Sequence, residues 1–247
     1  RPSYFRNNRH CELNSMHNTP EISVVIPVFN EEENLPSLFE SLFDVMETFG
    51  APYEIIFTDD GSSDGSDATL TKYHEAHPDK VKVVFFNRNY GQHMAISAAM
   101  EHASGQIIVT LDADNQNPPE EIPKLIEAIR DGHDVAGTYR ADRHDSLFRR
   151  WASGANNSIR HKLTGINMRD QGCMLRAYHR DIVENIIKGG RKVTFIPALA
   201  ETLASNSVEI EVAHKSRKMG ESKYTFYKLF RLNFDLILVF RLCRYSY

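Results

Sequence analysis

The stretch Ile107 to Pro123, IIVTLDADNQNPPEEIP, carries three kinds of sequence in immediate succession. Ile107 to Leu111 are apolar or β-branched and predict a buried strand. Asp112 and Asp114 follow at once, and a charged carboxylate is costly to bury without a partner. The tip of this strand must therefore meet water or a counter-charge. Asn117, Pro118 and Glu120 then predict a helix start, with cap, first-turn proline and capping-box acid in order. A buried strand, a polar tip and a helix form the repeating half of a β-α-β unit.

The same order recurs upstream. ISVVIPV (Ile22 to Val28), YEIIFT (Tyr53 to Thr58) and VKVVFF (Val81 to Phe86) are further buried-strand candidates. Between them Leu35, Leu38, Phe39, Leu42, Met46 and Phe49 share one helical face, and Ala95, Ile96, Ala99 and Met100 mark another. Strands buried on both faces and joined by helices predict an α/β fold, a mainly parallel, doubly wound sheet flanked by helices. The second half is less regular. Asp134 to Arg140, Gly172 to Tyr178 and Val208 to His214 are strand candidates, and Arg149 to Leu163 is a predicted helix.

Ligands of such sheets bind at the carboxyl ends of the strands, where this chain places PVFNEEEN, DDGSSDGS, NRNYGQH and DADNQN. No GxGxxG follows the first strand and no GxxxxGK[ST] occurs, which excludes a dinucleotide fingerprint and a P-loop. In an extended segment Asp112 and Asp114 point to one side, and Gln116 adds an oxygen. That set suits a hard divalent cation, Mg²⁺ or Mn²⁺, whose remaining positions a diphosphate can fill. The competing reading is two acids near a helix N-terminus, favoured by its dipole. Asp59 and Asp60 end the second strand, where a carboxylate can accept a bond from a nucleobase N–H or a ribose hydroxyl. A turn capped by Asp and Ser explains Gly61 and Ser62 but not two adjacent carboxylates. His93 and His214 lack an HxH or HxxxH partner and receive no catalytic role.

Charge divides the chain in the same place. The net charge of −4 conceals 9 Lys+Arg against 23 Asp+Glu in residues 1 to 139, and 20 against 10 in residues 140 to 247. An acidic half fits cation binding and a basic half fits anion binding. Three cysteines, Cys11, Cys173 and Cys243, without CxxC spacing indicate neither a disulfide framework nor a zinc site, and favour a reducing compartment. Residues 1 to 20 are polar and irregular, read as a disordered or added leader in which Met16 could be a start. No run of 18 or more uncharged apolar residues exists. The stretch from Phe226 to Tyr247 is read as an amphipathic helix at a membrane interface, with core packing as the alternative and membrane-spanning helices expected to follow.

PVFNEEENL, TDDGSSDGS, NRNYGQH, LDADNQNPPEEIP and GESKY stand in the order and spacing of the inverting family 2 glycosyltransferases with the GT-A fold. The chain resembles the members that load a sugar onto a polyprenyl phosphate such as undecaprenyl phosphate. The likeness covers about residues 21 to 235. NYGQH, QNPPEEIP, GCMLRAY, TFIPALA and GESKY are far more specific than the DxD alone.

The resemblance implies a catalytic domain over residues 21 to 225, with a nucleotide and metal half to residue 139 and an acceptor half from residue 140. It implies a nucleoside pocket of Pro27, Phe29, Glu31, Asp59 and Asp60. Phe29 stands where the family often has Tyr, so a hydroxyl contact is lost. Asp112, Asp114 and Gln116 match the metal and diphosphate site, and Arg140, Arg149 and Ser153 the acceptor-phosphate site. Arg217, Ser222 and Lys223 match a segment that closes over it. The implied partners are a nucleotide-sugar, with UDP favoured as carrier, a polyprenyl phosphate and the cytoplasmic face of the plasma membrane. No nucleic acid is implied, and a homo-oligomer is compatible.

A phosphate nucleophile removes the need for a strong general base. Asp170, beside GCML, is the candidate if one is used, with a turn or ion-pair acid as the alternative. Three other readings compete. A receiver-like Mg²⁺-binding module would carry its acidic pair after the first strand. A sugar nucleotidyltransferase would carry a basic, Gly-rich loop there. A family member with a soluble or polysaccharide acceptor would leave the arginines without a purpose.

Overall fold

The computed structural model describes residues 19–140, 170, 173–189 and 195–212, with the backbone alone at Arg140. Its strands are β1 (Ile22–Val28), β2 (Tyr53–Asp59), β3 (Val81–Phe85), β4 (Ile107–Thr110), β5 (Val135–Arg140), β6 (Arg176–His179) and β7 (Ser207–Val212). The helices are α1 (Leu35–Phe49), α2 (Ser66–Ala76), α3 (Gln92–His102), α4 (Ile122–Arg130), α5 (Arg180–Lys188) and α6 (Ile196–Leu203). All the strands belong to one sheet, in the order β3-β2-β1-β4-β6-β5-β7.

Alternation along the central strands splits the apolar residues into two cores, one on each face. Val24, Ile26, Ile55, Phe57, Val109 and Leu111 pack with Leu35, Leu38, Leu42 and Met46 of α1. Val25, Ile56 and Ile108 pack on the opposite face with Ile96, Ala99 and Met100 of α3 and with Tyr178 and Val183. Each fully buried Leu or Ile contributes about 1.5–3 kcal/mol, so both faces hold the helices that flank them.

The strand directions decide where a ligand can sit. β1 pairs in parallel with β2 on one side and β4 on the other, so connections diverge there, the arrangement in which ligands of such sheets bind beyond the carboxyl ends. β6 is antiparallel to both β4 and β5, which makes β5 parallel to β4, and β7 is parallel to β5. The carboxyl ends of β1, β2, β3, β4, β5 and β7 therefore share one edge of the sheet with the start of β6. We call it the upper edge.

Beside one-residue shifts at the ends of β2, β3, β5 and β7, the structure departs from the sequence expectation at four points. β3 is an edge strand and only Val81 is fully buried, so its apolar run does not mark burial on both faces. β4 ends at Thr110 rather than Leu111. β6 begins at Arg176, so Cys173 to Leu175 of the predicted strand lie outside the ladder while Gly172 is outside the described residues, and side chains take the carbonyls that would otherwise extend it. Thr110 Oγ1 donates to Met174 O at 2.6 Å, and Arg176 Nε to Cys173 O at 3.2 Å. Finally, Asn117 does not cap a helix. A 3₁₀ turn, Pro119–Glu121, precedes α4 with no side-chain cap, and the Asn117 side chain is buried elsewhere. The predicted helix Arg149–Leu163, the stretch 226–247 and residues 1–18 lie outside the described residues. Among those described, no helix is long and apolar enough to cross a membrane.

Candidate active site

The aspartate loop leaves β4 with its direction already set. Leu111 and Ala113 are buried in the α1-side core, which turns Asp112 toward the α3 face. There Gln92, the first residue of α3, donates Nε2 to Asp112 Oδ1 at 2.7 Å. From Ala113 the chain turns, with Asn115 at φ 58°, and the Asp114 Oδ1 accepts the Gln116 N–H at 3.1 Å. Simple alternation therefore does not carry through to Gln116. Asp112, Asp114 and Gln116 all remain half-buried, neither sealed in the core nor fully in water.

Neighbouring segments hold this loop from two sides. Asn115 Nδ2 donates to Asn34 O at 3.0 Å and to Ser37 Oγ at 2.9 Å, which ties the loop to the start of α1. On the other side Cys173 Sγ donates to Asn117 Oδ1 at 3.3 Å and lies 2.8 Å from Thr138 Oγ1 of β5. Burial pushes the Cys173 thiol up from its ordinary value, so it serves as a neutral link.

The adjacent acids of β2 do two different jobs. Asp59 Oδ1 accepts the Ser62 N–H at 3.2 Å and the Ser62 hydroxyl, closing the loop after β2. Asp60 accepts the Tyr90 N–H on Oδ1 at 2.7 Å and the Gly91 N–H on Oδ2 at 2.9 Å, pinning the segment that leads into α3. Burial raises the Asp60 carboxyl, those two N–H groups oppose the rise, and the Asp59 charge adds to it. Gly61, at φ 70°, lets this loop lie against the backbone of Arg88, where a Cβ would come within 2.5 Å. Further bonds lace the β1 and β2 tips: Asn30 N to Ser62 Oγ, Glu31 N to Ser66 Oγ, and Ser63 N to Asn30 Oδ1. Glu31 accepts from Asn34 Nδ2 at 2.6 Å. Phe29 stands 39% exposed beside them, and Pro27 is half-buried in β1.

The family 2 glycosyltransferase profile, "Glycosyl transferase family 2", matches residues 23–187, which include these loops and run from the second residue of β1 through β6. The chain belongs to that family. It is 49% identical over 217 residues to the undecaprenyl-phosphate 4-deoxy-4-formamido-L-arabinose transferase of Klebsiella pneumoniae, covering 88% of this chain and 66% of the relative. It is 50% identical over 216 residues to the same-named protein of Pectobacterium carotovorum, with 87% and 66% covered. The chain thus spans about two thirds of the length of these relatives. Among solved structures it is similar to a mannosyltransferase from Pyrobaculum calidifontis in complex with GDP-Man and Mn²⁺, at TM-score 0.60 and 19% identity, over 90% of this chain and 63% of that one. It is also similar to the glucosyl-3-phosphoglycerate synthase of Mycobacterium tuberculosis in complex with Mn²⁺, UDP and glucosyl-3-phosphoglycerate. That likeness has TM-score 0.57 and 17% identity, over 94% of this chain and 82% of that one. These neighbours support the GT-A fold.

Within this family 2 fold the candidate residues gather on the upper edge. Pro27, Phe29 and Glu31 lie at the end of β1, Asp59 and Asp60 at that of β2, and Asp112, Asp114 and Gln116 after β4. Arg140 ends β5, paired in register with Val212 at the end of β7. Asp170 lies ahead of β6, 2% exposed, with its carbonyl accepting from Arg176 Nη2 at 3.0 Å. Arg149, Ser153, Arg217, Ser222 and Lys223 lie outside the described residues, as does His214. His93 is packed edge-on against Phe195, with ring centroids 5.1 Å apart. Sequence reasoning missed Gln92, Asn115, Asn117, Cys173 and Arg176. All five stood inside quoted motifs, and for the first three amides in a loop were the available signal. Arg176 is fully buried, lies over Gly137 and takes two backbone carbonyls, and nothing local in the sequence announces that.

Proposed function

We propose that this chain is the catalytic part of an inverting glycosyltransferase that moves a sugar from a UDP-sugar to undecaprenyl phosphate at the cytoplasmic face of the inner membrane. The gathering of Asp112, Asp114, Asp60 and Arg140 on one edge of one sheet carries this reading. The names of the relatives favour UDP-4-deoxy-4-formamido-L-arabinose as the donor.

Asp112, Asp114 and Gln116 would hold Mg²⁺ or Mn²⁺. Their donor set is all oxygen and fits a hard cation. Among the described residues no group of three or more His, Cys, Asp or Glu forms a metal cluster, and the open positions of a cation held here would suit a substrate diphosphate and water. When bound, the cation supplies positive charge beside the departing diphosphate. The β1 and β2 tips, with Phe29, Glu31 and Asp60, seat the nucleoside. Arg140, with Arg149 and Ser153, orients the acceptor phosphate, and Arg217, Ser222 and Lys223 close over it. One charge contact at 4 Å and an effective dielectric near 20 is worth on the order of 4 kcal/mol before desolvation.

The acceptor phosphate carries roughly −1.5 to −2 charges at neutral pH and is already a nucleophile. Its oxygen attacks the anomeric carbon, the bond from that carbon to the UDP oxygen breaks, and UDP leaves with inversion. No proton needs to be removed by Asp170, whose place beside β6 suits shaping the acceptor side.

The test offers the protein detergent-solubilised undecaprenyl phosphate, a panel of UDP- and GDP-sugars, and Mn²⁺ or Mg²⁺. Glycolipid should form with a UDP-sugar and vanish with EDTA. Transfer to a free sugar, with no glycolipid from any donor, would reject the acceptor assignment.

A further inference from the structure

We infer that Asn115, the residue immediately after the DxD, is a positioning residue for the cation, acting through its backbone and its side chain together. This rests on the metal assignment made above. Asn115 adopts φ 58°, a left-handed conformation that Asn tolerates better than most side chains. That conformation reverses the chain between Asp114 and Gln116, and the Asp114 carboxylate accepts the Gln116 N–H across the turn. The Asn115 amide then reaches across 78 residues of sequence to Ser37 Oγ at 2.9 Å and also to Asn34 O at 3.0 Å. Both its amide hydrogens are used, so the turn has one orientation relative to α1.

The acceptors are themselves fixed. Ser37 Oγ donates to Asn34 O at 3.1 Å, and Asn34 Nδ2 donates to Glu31 Oε2 at 2.6 Å. Asn115 thereby joins the loop that carries Asp114 to the β1–α1 segment that carries Glu31. Cation ligands and the nucleoside side of the site are held at one spacing by an amide that touches neither ligand. Groups hydrogen-bonded directly to a ligating side chain are worth about 10–100-fold in metal affinity when removed, and a tie that acts through the loop backbone falls at the lower end of that range.

Three substitutions separate the two contributions. Asn115→Gly keeps the left-handed turn and loses the side-chain tie, Asn115→Ala loses both, and Ser37→Ala removes one acceptor at a distance. Mn²⁺ binding is read by electron paramagnetic resonance in the presence of UDP, beside the Mn²⁺ concentration needed for half-maximal transfer. Affinity should fall about tenfold for Asn115→Gly and further for Asn115→Ala. Ser37→Ala should lose about twofold to threefold, and its combination with Asn115→Ala should be no worse than Asn115→Ala alone. The metal-free proteins should melt within a few degrees of the parent, which separates positioning from loss of fold.

Wild-type Mn²⁺ affinity in all three variants would overturn the inference while leaving the metal site in place. Full additivity of Ser37→Ala and Asn115→Ala would overturn the tie between them. A parent protein that binds no Mn²⁺ with UDP would remove the metal assignment itself, and the inference with it.

Discussion

At the lower edge of the sheet Glu54 is 2% exposed and accepts from Ser23 Oγ, Ser104 N and Ser104 Oγ, each at 2.7 Å, with Lys82 Nζ at 2.6 Å. At the upper edge Asp112 and Asp114 are half-buried, and the Gln92 amide and the Gln116 N–H reach them. Burial pushes the Glu54 carboxyl up, but the bonds from Lys82, Ser104 and Ser23 outweigh it and leave the group below its ordinary range. The lower acid is closed around an ammonium that belongs to the fold. The upper acids are aimed by neutral amides in a loop that a ligand can enter. One edge spends its polar groups on stability and the other on orientation, so substitutions at the two should fail in different ways.

The largest contrast comes from Asp112→Asn and Asp114→Asn. Each should lower metal-dependent transfer by about 10³-fold or more, roughly 4 kcal/mol of barrier, with little change in melting temperature. Near-normal rates in both variants, measured at saturating donor and Mn²⁺, would sink the cation site. Glu54→Gln should do the reverse. It keeps most of the shape and loses the ion pair, and Lys82 is 47% exposed, so water solvates the ammonium left behind. Urea unfolding should show a loss of about 2–3 kcal/mol, with the turnover of the folded fraction unchanged. A fall in turnover without a fall in stability would erase the distinction between the edges.

His93 sharpens the comparison by pH. Desolvation lowers its pKa from 6.5 to about 4, so the folded protein keeps the ring neutral where the unfolded chain protonates it. The unfolded state binds more protons across that window, and stability is lost as pH falls from about 6.5 toward 4. By pH 5 the loss should be about 2 kcal/mol. Glu54, held down in the folded state, loses its contribution only as pH falls below its unfolded value of about 4.5, so the windows separate. Denaturant midpoints for the parent and for His93→Gln should diverge above pH 4.5. Parallel curves would place His93 in water.

The strands were readable because both faces of β1, β2 and β4 are buried, and apolar periodicity reports that directly. β6 was overextended because its periodicity continues through Cys173, Met174 and Leu175, all buried, while their carbonyls bond to side chains. Burial patterns cannot distinguish a ladder bond from a side-chain bond. The aspartates of the site were legible as charges at a strand tip. Gln92, Asn115 and Asn117 were not, because an amide in a polar loop has the same composition whether it faces solvent or aims a ligand. Asn117 was read as a cap for that reason, and its Oδ1 instead accepts from Cys173.

The smallest expected effect divides two neighbours that the sequence could not tell apart. Asp59 uses Oδ1 for both of its bonds to Ser62, and an asparagine oxygen can accept the same pair. Asp60 uses both oxygens, each toward a backbone N–H, so Asp60→Asn must turn an amide NH₂ toward one of those donors. Leaving that part-buried N–H unpaired costs about 1 kcal/mol, offset in part because burial already disfavours the Asp60 charge. Calorimetric UDP binding should weaken about tenfold for Asp60→Asn, as the segment carrying Tyr90 and Gly91 shifts. Asp59→Asn should change it by less than about threefold. Equal losses in the two variants would mean that the Asp59 charge itself faces the nucleoside, and that the β2 tip acts by more than the segment Asp60 pins.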